Sequence, residues 1–244
     1  MSRFRASALH FLISIVVGLV LLALCWFVWY PAPMLMAIGG HEIFLLVVGI
    51  DVMLGPLMTL VVFKSGKRGM KFDLVIIVLL QVGAMVYGIS TLLEGRPVYV
   101  AALALGNKFE VVQACELTDA QLAQDKMGLP WWGPRWVGTK APTDKHDIST
   151  LNAIGTVGAG RGHLPKLQVP YESIAQEILK NASSIEQLKK DNSTKIPEID
   201  VWLSKRGYNE NTVKYLPIKI SASTFVVMVD AKTAAVIDIA QFQP

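Results

Sequence analysis

The chain has 244 residues, 17% of them charged, and a mean hydropathy of +0.44. Soluble domains carry roughly 25% charged residues, so a chain this poor in charge is not built for water throughout. The net charge of +4 divides unevenly: the residues before Glu94 hold 6 Lys/Arg against 3 Asp/Glu, the rest 17 against 16. That excess flanks apolar runs and forms no basic stripe, which argues against a nucleic-acid-binding class.

The first apolar run spans about residues 8–30, the second 42–63 and the third 73–93. Each supplies about 20 residues, enough to cross roughly 30 Å of hydrocarbon as a helix. The first run exceeds a signal-peptide core and has no small-x-small cleavage site after it, so it reads as an uncleaved anchor. Arg3 and Arg5 precede it, the following loop has no Lys or Arg, and the next loop carries Lys64, Lys67, Arg68 and Lys71. By the positive-inside rule the N-terminus and second loop are cytoplasmic, and residues 96–244 lie on the far side. Trp26, Trp29 and Tyr30 fit an aromatic belt there.

Polar and small residues fall on one face of each run. Asp51, Gly55 and Thr59 are spaced i, i+4, i+8; Gln81, Ala84, Met85 and Gly88 share a face of the third; His10, Ser14 and Gly18 share one of the first, with Cys25 close to the same stripe. Such stripes are what helix contact in lipid requires. Asp51 stands out because a charge at mid-membrane costs at least about 2.5–3.5 kcal/mol. Two readings stand: a strut hydrogen-bonded within the bundle, with Gln81 at matching depth, or a docking point for another membrane helix. Intramembrane proteolysis needs two cooperating carboxylates, and Asp73 sits at the cytoplasmic edge, too far to share a water. Pro56 is expected to kink the second helix and free the Val52 carbonyl.

Past Glu94 the chain reads as a globular α+β domain with antiparallel hairpins. Strand patterns cover 98–105 and 108–114, separated by Gly106-Asn107, and 224–229 and 234–240, separated by Asp230-Ala231-Lys232-Thr233. Helical segments are expected at 118–124, 171–180, 184–190 and 198–206. Cys25 and Cys115 lie in different regions and are expected to stay unpaired. The run Leu129-Pro130-Trp131-Trp132-Gly133-Pro134-Arg135-Trp136 either packs its tryptophans into the domain or offers a membrane- or partner-contacting face. Gly158-Ala159-Gly160-Arg161-Gly162 lacks the strand context and spacing of a phosphate loop and reads as a flexible loop. Hydrolase elbows, metalloprotease motifs and Cys/His metal spacings are missing from the sequence.

The segment from Gly49 to Leu60 (GIDVMLGPLMTL) resembles the second transmembrane helix of the type IV pilin accessory proteins of the TfpX/TfpZ family. Arg96-Pro97-Val98-Tyr99, the Leu129–Arg135 run, Val169-Pro170-Tyr171 and Val229-Asp230-Ala231-Lys232-Thr233 are similar to it in order along the chain, with Ala234 where a turn glycine is expected. The resemblance implies a bacterial inner-membrane accessory factor, multi-pass with a periplasmic C-terminal domain, that supports pilin stability, pilus assembly or pilus dynamics. It implies no catalytic activity and no cofactor. Its partners would be a type IV pilin, inner-membrane assembly components and the lipid bilayer, with no small-molecule substrate. The candidate partner-binding residues are Asp51, Gly55, Thr59, Gln81, Trp131, Trp132, Arg135 and Trp136; no catalytic or metal site is assigned. The competing classes are a membrane-embedded peptidase or transferase acting on pilin and a subunit of a sensor or transport complex.

Overall fold

The computed structural model describes residues 2–63, 69–103, 107–155, 159–221 and 223–244. Three helices are long and apolar enough to cross a membrane: Arg3–Trp29, Gly40–Val62 and Met70–Gly95. Each begins a few residues before its apolar run. Ser2 caps the first through its side chain, and Gly39 and Gly69, both at positive φ, precede the other two. Lys64, Lys67 and Arg68, which weigh heavily in the expected orientation, lie outside the described residues.

The buried stripe of the first helix includes Ser14, Gly18 and Cys25. Gly18 and Gly88 allow close approach to the second helix. A methyl on Gly18 would stand 3.0 Å from Val48, and one on Gly88 would overlap Val47. Pro56, expected to kink the second helix, follows a local change of winding. The five residues Ile50–Leu54 just before it wind as a π-helix. Proline offers no N–H to the carbonyl four residues back, and the wider turn absorbs that defect. Of the expected aromatic belt, Trp26 lies on the surface, whereas Trp29 and Tyr30 are buried, with Tyr30 donating to the Leu92 carbonyl at 2.6 Å.

The remaining residues build one sheet from β1 (Pro97–Leu103), β2 (Lys108–Gln113), β3 (Arg135–Thr139), β4 (Gln168–Pro170), β5 (Ser183–Ser184), β6 (Val213–Ile220), β7 (Ser223–Asp230) and β8 (Val236–Ala240). The order is β4-β3-β1-β2-β6-β7-β8, with β5 paired to β6. Both expected hairpins are present, β1 with β2 and β7 with β8. In the first, the last pair is Leu103 with Lys108, and Gly106 lies outside the described residues.

The sheet is mixed rather than purely antiparallel, because β3 runs parallel to β1 and β6 parallel to β2. Hairpin signals report only neighbours in sequence. A parallel pair needs a long crossover, and here the helical middle supplies the one between β2 and β6. The expected helices appear as Asp119–Leu122 with a Thr118 capping box, Ala175–Asn181 after a 3-10 turn, Ile185–Asp191 capped by Ser184, and Ile196–Lys205.

One core layer gathers Val100, Phe109, Ile174, Leu216, Ile218 and Val227; another joins Ile185, Leu188, Ile199 and Leu203 to β6 and β7. Met34, which opens the short helix Met34–Ala37 between the first two long helices, belongs to the first of these layers and is 1% exposed. A side chain from between two apolar helices thus completes the core of the sheet domain. Cys25 is buried, Cys115 is exposed, and both are free.

Candidate functional site

Two places gather the sequence-predicted residues. The first lies among the long helices. Gln81 donates from Nε2 to Asp51 Oδ1 at 2.5 Å and approaches the Asp51 carbonyl at 3.4 Å. Two turns along, His10 Nδ1 and Thr59 Oγ1 are 2.7 Å apart, and Ser7 Oγ donates to the Pro56 carbonyl at 2.8 Å. Gly55 sits between the two pairs. A Cβ there would fall 2.2 Å from Gln81 Nε2 and 2.9 Å from His10 Nε2. Glycine therefore leaves the space in which the Gln81 and His10 side chains reach the second helix, one turn to either side of Gly55.

These groups border an open cavity of about 450 Å³, lined by His10, Ser14, Asp51, Thr59 and Gln81 among apolar side chains. Asp51 and Gln81 are half-buried and Thr59 is buried. Asp51 is the one carboxylate among the cavity's lining residues. Its partner is Gln81 rather than the His10 ring, so the His10–Thr59 pair lacks the carboxylate that would orient a general base. The sequence placed His10 on the polar stripe of the first helix without making it part of the site. Its i, i+4 spacing with Ser14 was the signal that it faces the same interior.

The second place is the aromatic run, and the structure divides it. Trp136, the second residue of β3, packs inward, with ring centroids 5.7 Å from Phe109 and 6.3 Å from Tyr171. Arg135 ties the base of the loop, donating to the Gly128 carbonyl at 2.9 Å and pairing with Asp125 at 3.5 Å. Asp125 in turn accepts from the Tyr99 hydroxyl. Trp131 and Trp132 are 65% and 81% exposed. Gly133 N–H donates to the Val28 carbonyl at 2.6 Å, fixing this loop to the end of the first long helix.

The glycine-rich segment after residue 155 is no phosphate loop. Gly158 lies outside the described residues. A Cβ on Gly160 would stand 2.6 Å from Glu110 Oε2, and one on Gly162 2.8 Å from the Ala101 side chain. These glycines serve close packing on β1 and β2 rather than a ligand. They also present His163, 4% exposed, between Glu110 at 3.2 Å from Nδ1 and Glu116 at 3.3 Å from Nε2. Burial alone lowers the pKa of His163, but hydrogen bonds and charge from both carboxylates outweigh it and raise the value to about 9. Burial likewise works to raise Glu116, and its hydrogen bonds with His163 and the Gln113 N–H, together with the His163 charge, more than reverse that, leaving it below the usual range.

A family model described as fimbrial assembly protein FimB matches residues 1–39, the first long helix and the segment that carries Met34. The fimbrial assembly protein of serogroup E1 of Dichelobacter nodosus is 28% identical over 225 residues, covering 88% of this chain and 85% of the relative. Its serogroup I counterpart is 27% identical over the same shares. The protein of serogroups C1 and C2 is 38% identical over 98 residues, which is 39% of this chain and 75% of that relative. No solved structure matches. With that identity sustained across three quarters of a relative, the chain belongs to the family of fimbrial assembly proteins.

Proposed function

We propose that this protein is a non-enzymatic accessory factor of type IV pilus biogenesis, of the TfpX/TfpZ kind, which holds a pilin or an assembly component through its membrane helices. The three long helices span the bacterial inner membrane, with the N-terminus cytoplasmic and the sheet domain periplasmic. The reading is supported by relatives named fimbrial assembly proteins that match along 88% of the chain. The observation that carries its mechanism is the cavity bordered by Asp51, Gln81, His10 and Thr59. Polar groups at such depth seek partners, and a cavity open at the side of the bundle leaves room for a helix that brings one.

A three-helix bundle with a keyed periplasmic domain can touch both the membrane helix and the head of a pilin, so two weak contacts add by effective concentration. A membrane peptidase would need a second carboxylate near Asp51, and the cavity lining offers none among the described residues. The test is photocrosslinking in native membranes from Ile13 and Val78, which line the cavity, and from Met53, which is exposed elsewhere on the second helix. Adducts with a pilin or pilus assembly protein from the first two and not from Met53 are expected. Equal labelling from all three, or none from the cavity, would reject the proposal.

A further inference from the structure

We infer that the Trp131–Trp132 loop inserts into the lipid headgroup region and clamps the sheet domain to the bilayer surface. The inference rests on the reading of the long helices as membrane-spanning. It assigns the two tryptophans to lipid rather than to a protein partner.

Among the described residues, Trp131 and Trp132 are the exposed large aromatics of the sheet domain. Their place is fixed by three contacts with helix ends. Gly133 N–H donates to the Val28 carbonyl at the end of the first helix, at 2.6 Å. Arg96, which follows the third helix, reaches the Pro130 carbonyl at 3.4 Å, and its guanidinium lies 5.6 Å from the Trp131 ring centroid. The same guanidinium donates to the Leu93 carbonyl at 2.7 Å. The loop therefore sits at the level where the first and third helices leave the membrane.

On the first helix at that level, Trp26 and Phe27 are surface-exposed, Phe27 at 80%. Trp131 and Trp132 add two exposed indole rings to the domain beside that helix end. Tryptophan suits that zone because it has an apolar body and one N–H for the wet side. Arg96 adds a cation where phosphates lie, stacked on one of the rings. Gly133 and Gly128, both at positive φ, turn the loop so that the two rings project while Arg135 holds its base to Asp125.

The test uses the full chain with Cys25→Ala and Cys115→Ser, reconstituted in vesicles of phosphatidylethanolamine and phosphatidylglycerol. A single environment-sensitive fluorophore is attached at residue 132, at residue 19 or at residue 201. Leu19 is exposed mid-helix and Val201 is exposed on the helix Ile196–Lys205. The expected result at 132 is blue-shifted emission, quenched more by lipids brominated near the ester end than by those brominated deep in the chain. Residue 19 should show the deep preference and residue 201 no quenching. If 19 is quenched while 132 behaves like 201, the clamp is overturned and the membrane reading survives. If 132 is shielded from aqueous quencher but untouched by brominated lipid, a protein surface covers it and the clamp is equally overturned. If 19 itself is not quenched, the membrane reading fails and the clamp with it.

Discussion

Gln81 donates its side-chain N–H to the Asp51 carboxylate across 2.5 Å, joining the second and third long helices near their middles. The pair exists because Gly55, one turn from Asp51, leaves space for the Gln81 amide, and because the π-wound segment ahead of Pro56 holds Asp51. A polar pair at this depth gives the bundle a fixed rotational setting. It also places Asp51 on the lining of the cavity, where the proposed partner helix would meet it.

Glycine substitutions should rank by what a new methyl meets. At Gly49 nothing lies within 4 Å, so Gly49→Ala is expected to be neutral or to stabilise by up to about 1 kcal/mol through helix propensity. Gly55→Ala displaces the Gln81 amide and should cost about 1 kcal/mol, the scale of polar couplings in membranes. Gly88→Ala drives into the branched Val47 side chain and should cost more, about 1–3 kcal/mol. Thermal unfolding in detergent checks the order, and equal effects at all three would refute this packing.

Met34 carries a second prediction. It is buried in the core layer of the sheet domain although it lies between two apolar helices. Met34→Ala should destabilise the sheet domain by about 2–5 kcal/mol, as core truncations do. A fragment of residues 96–244 is expected to fold without metal or disulfide, since its length suffices for a core. It should melt below the same domain in the full chain, because the Met34 site is then open. Circular dichroism melts of the two proteins, followed through the sheet signal, decide this. Identical melting would mean that Met34 adds nothing to the core.

The His163 cluster predicts a pH dependence. A histidine whose folded pKa is raised to about 9 contributes stability that is complete below its ordinary value near 6.5 and lost as pH rises toward 9. The lowered Glu116 contributes above its ordinary range and is lost in acid. Stability of the sheet domain should therefore fall by on the order of 2 kcal/mol between pH 6.5 and 9. His163→Gln should be less stable at pH 6.5 and nearly flat across that interval. Denaturant melts at several pH values measure both, and an unchanged slope in the variant would assign the dependence elsewhere.

Ala234 occupies a left-handed position, φ 61°, where the resemblance leads one to expect glycine. Asp230 accepts from the N–H groups of Lys232 and Thr233 and so builds the turn, while the Ala234 carbonyl accepts from the Tyr171 hydroxyl at 2.8 Å. Ala234 is also fully buried in the core layer. Relief of the strained φ and loss of a buried methyl work against each other, so Ala234→Gly should lie within about 1 kcal/mol of the native chain. Ala234→Val, branched at the same φ, should cost about 2 kcal/mol or more. Paired unfolding curves test the contrast.

Much of this architecture is legible in the sequence, for physical reasons that also mark where legibility ends. Apolar runs of about 20 residues announce the long helices, and i, i+4 spacing places Asp51, Gly55 and Thr59 on one face without needing the partner helix. Local hairpins are legible because turn chemistry and strand pattern are adjacent in the chain. β6 was not legible: Pro217 interrupts its run, a residue that ordinarily argues against a central strand. The parallel pairs β1 with β3 and β2 with β6 depend on contacts across long connections, which no local pattern encodes. Trp131, Trp132 and Trp136 look alike in sequence, yet only Trp136 falls in a strand beside Phe109 and Tyr171. Nothing local marks Met34 as a core residue of a domain that begins more than 60 residues later.

On the proposed function, Asp51 meets a pilus partner within the membrane. The most direct measurement is surface piliation of Asp51→Asn and Asp51→Leu strains, normalised to the abundance of this protein. Asn retains a hydrogen bond with Gln81 but no charge; Leu leaves that amide unsatisfied. Because single polar couplings in membranes average about 0.6 kcal/mol, Asn should leave abundance normal. Fewer surface pili are expected in the Asn strain at normal abundance, and a stronger defect with Leu. Wild-type piliation with Asn, together with reduced abundance with Leu, would make Asp51 a strut of the bundle and rule out a partner contact there.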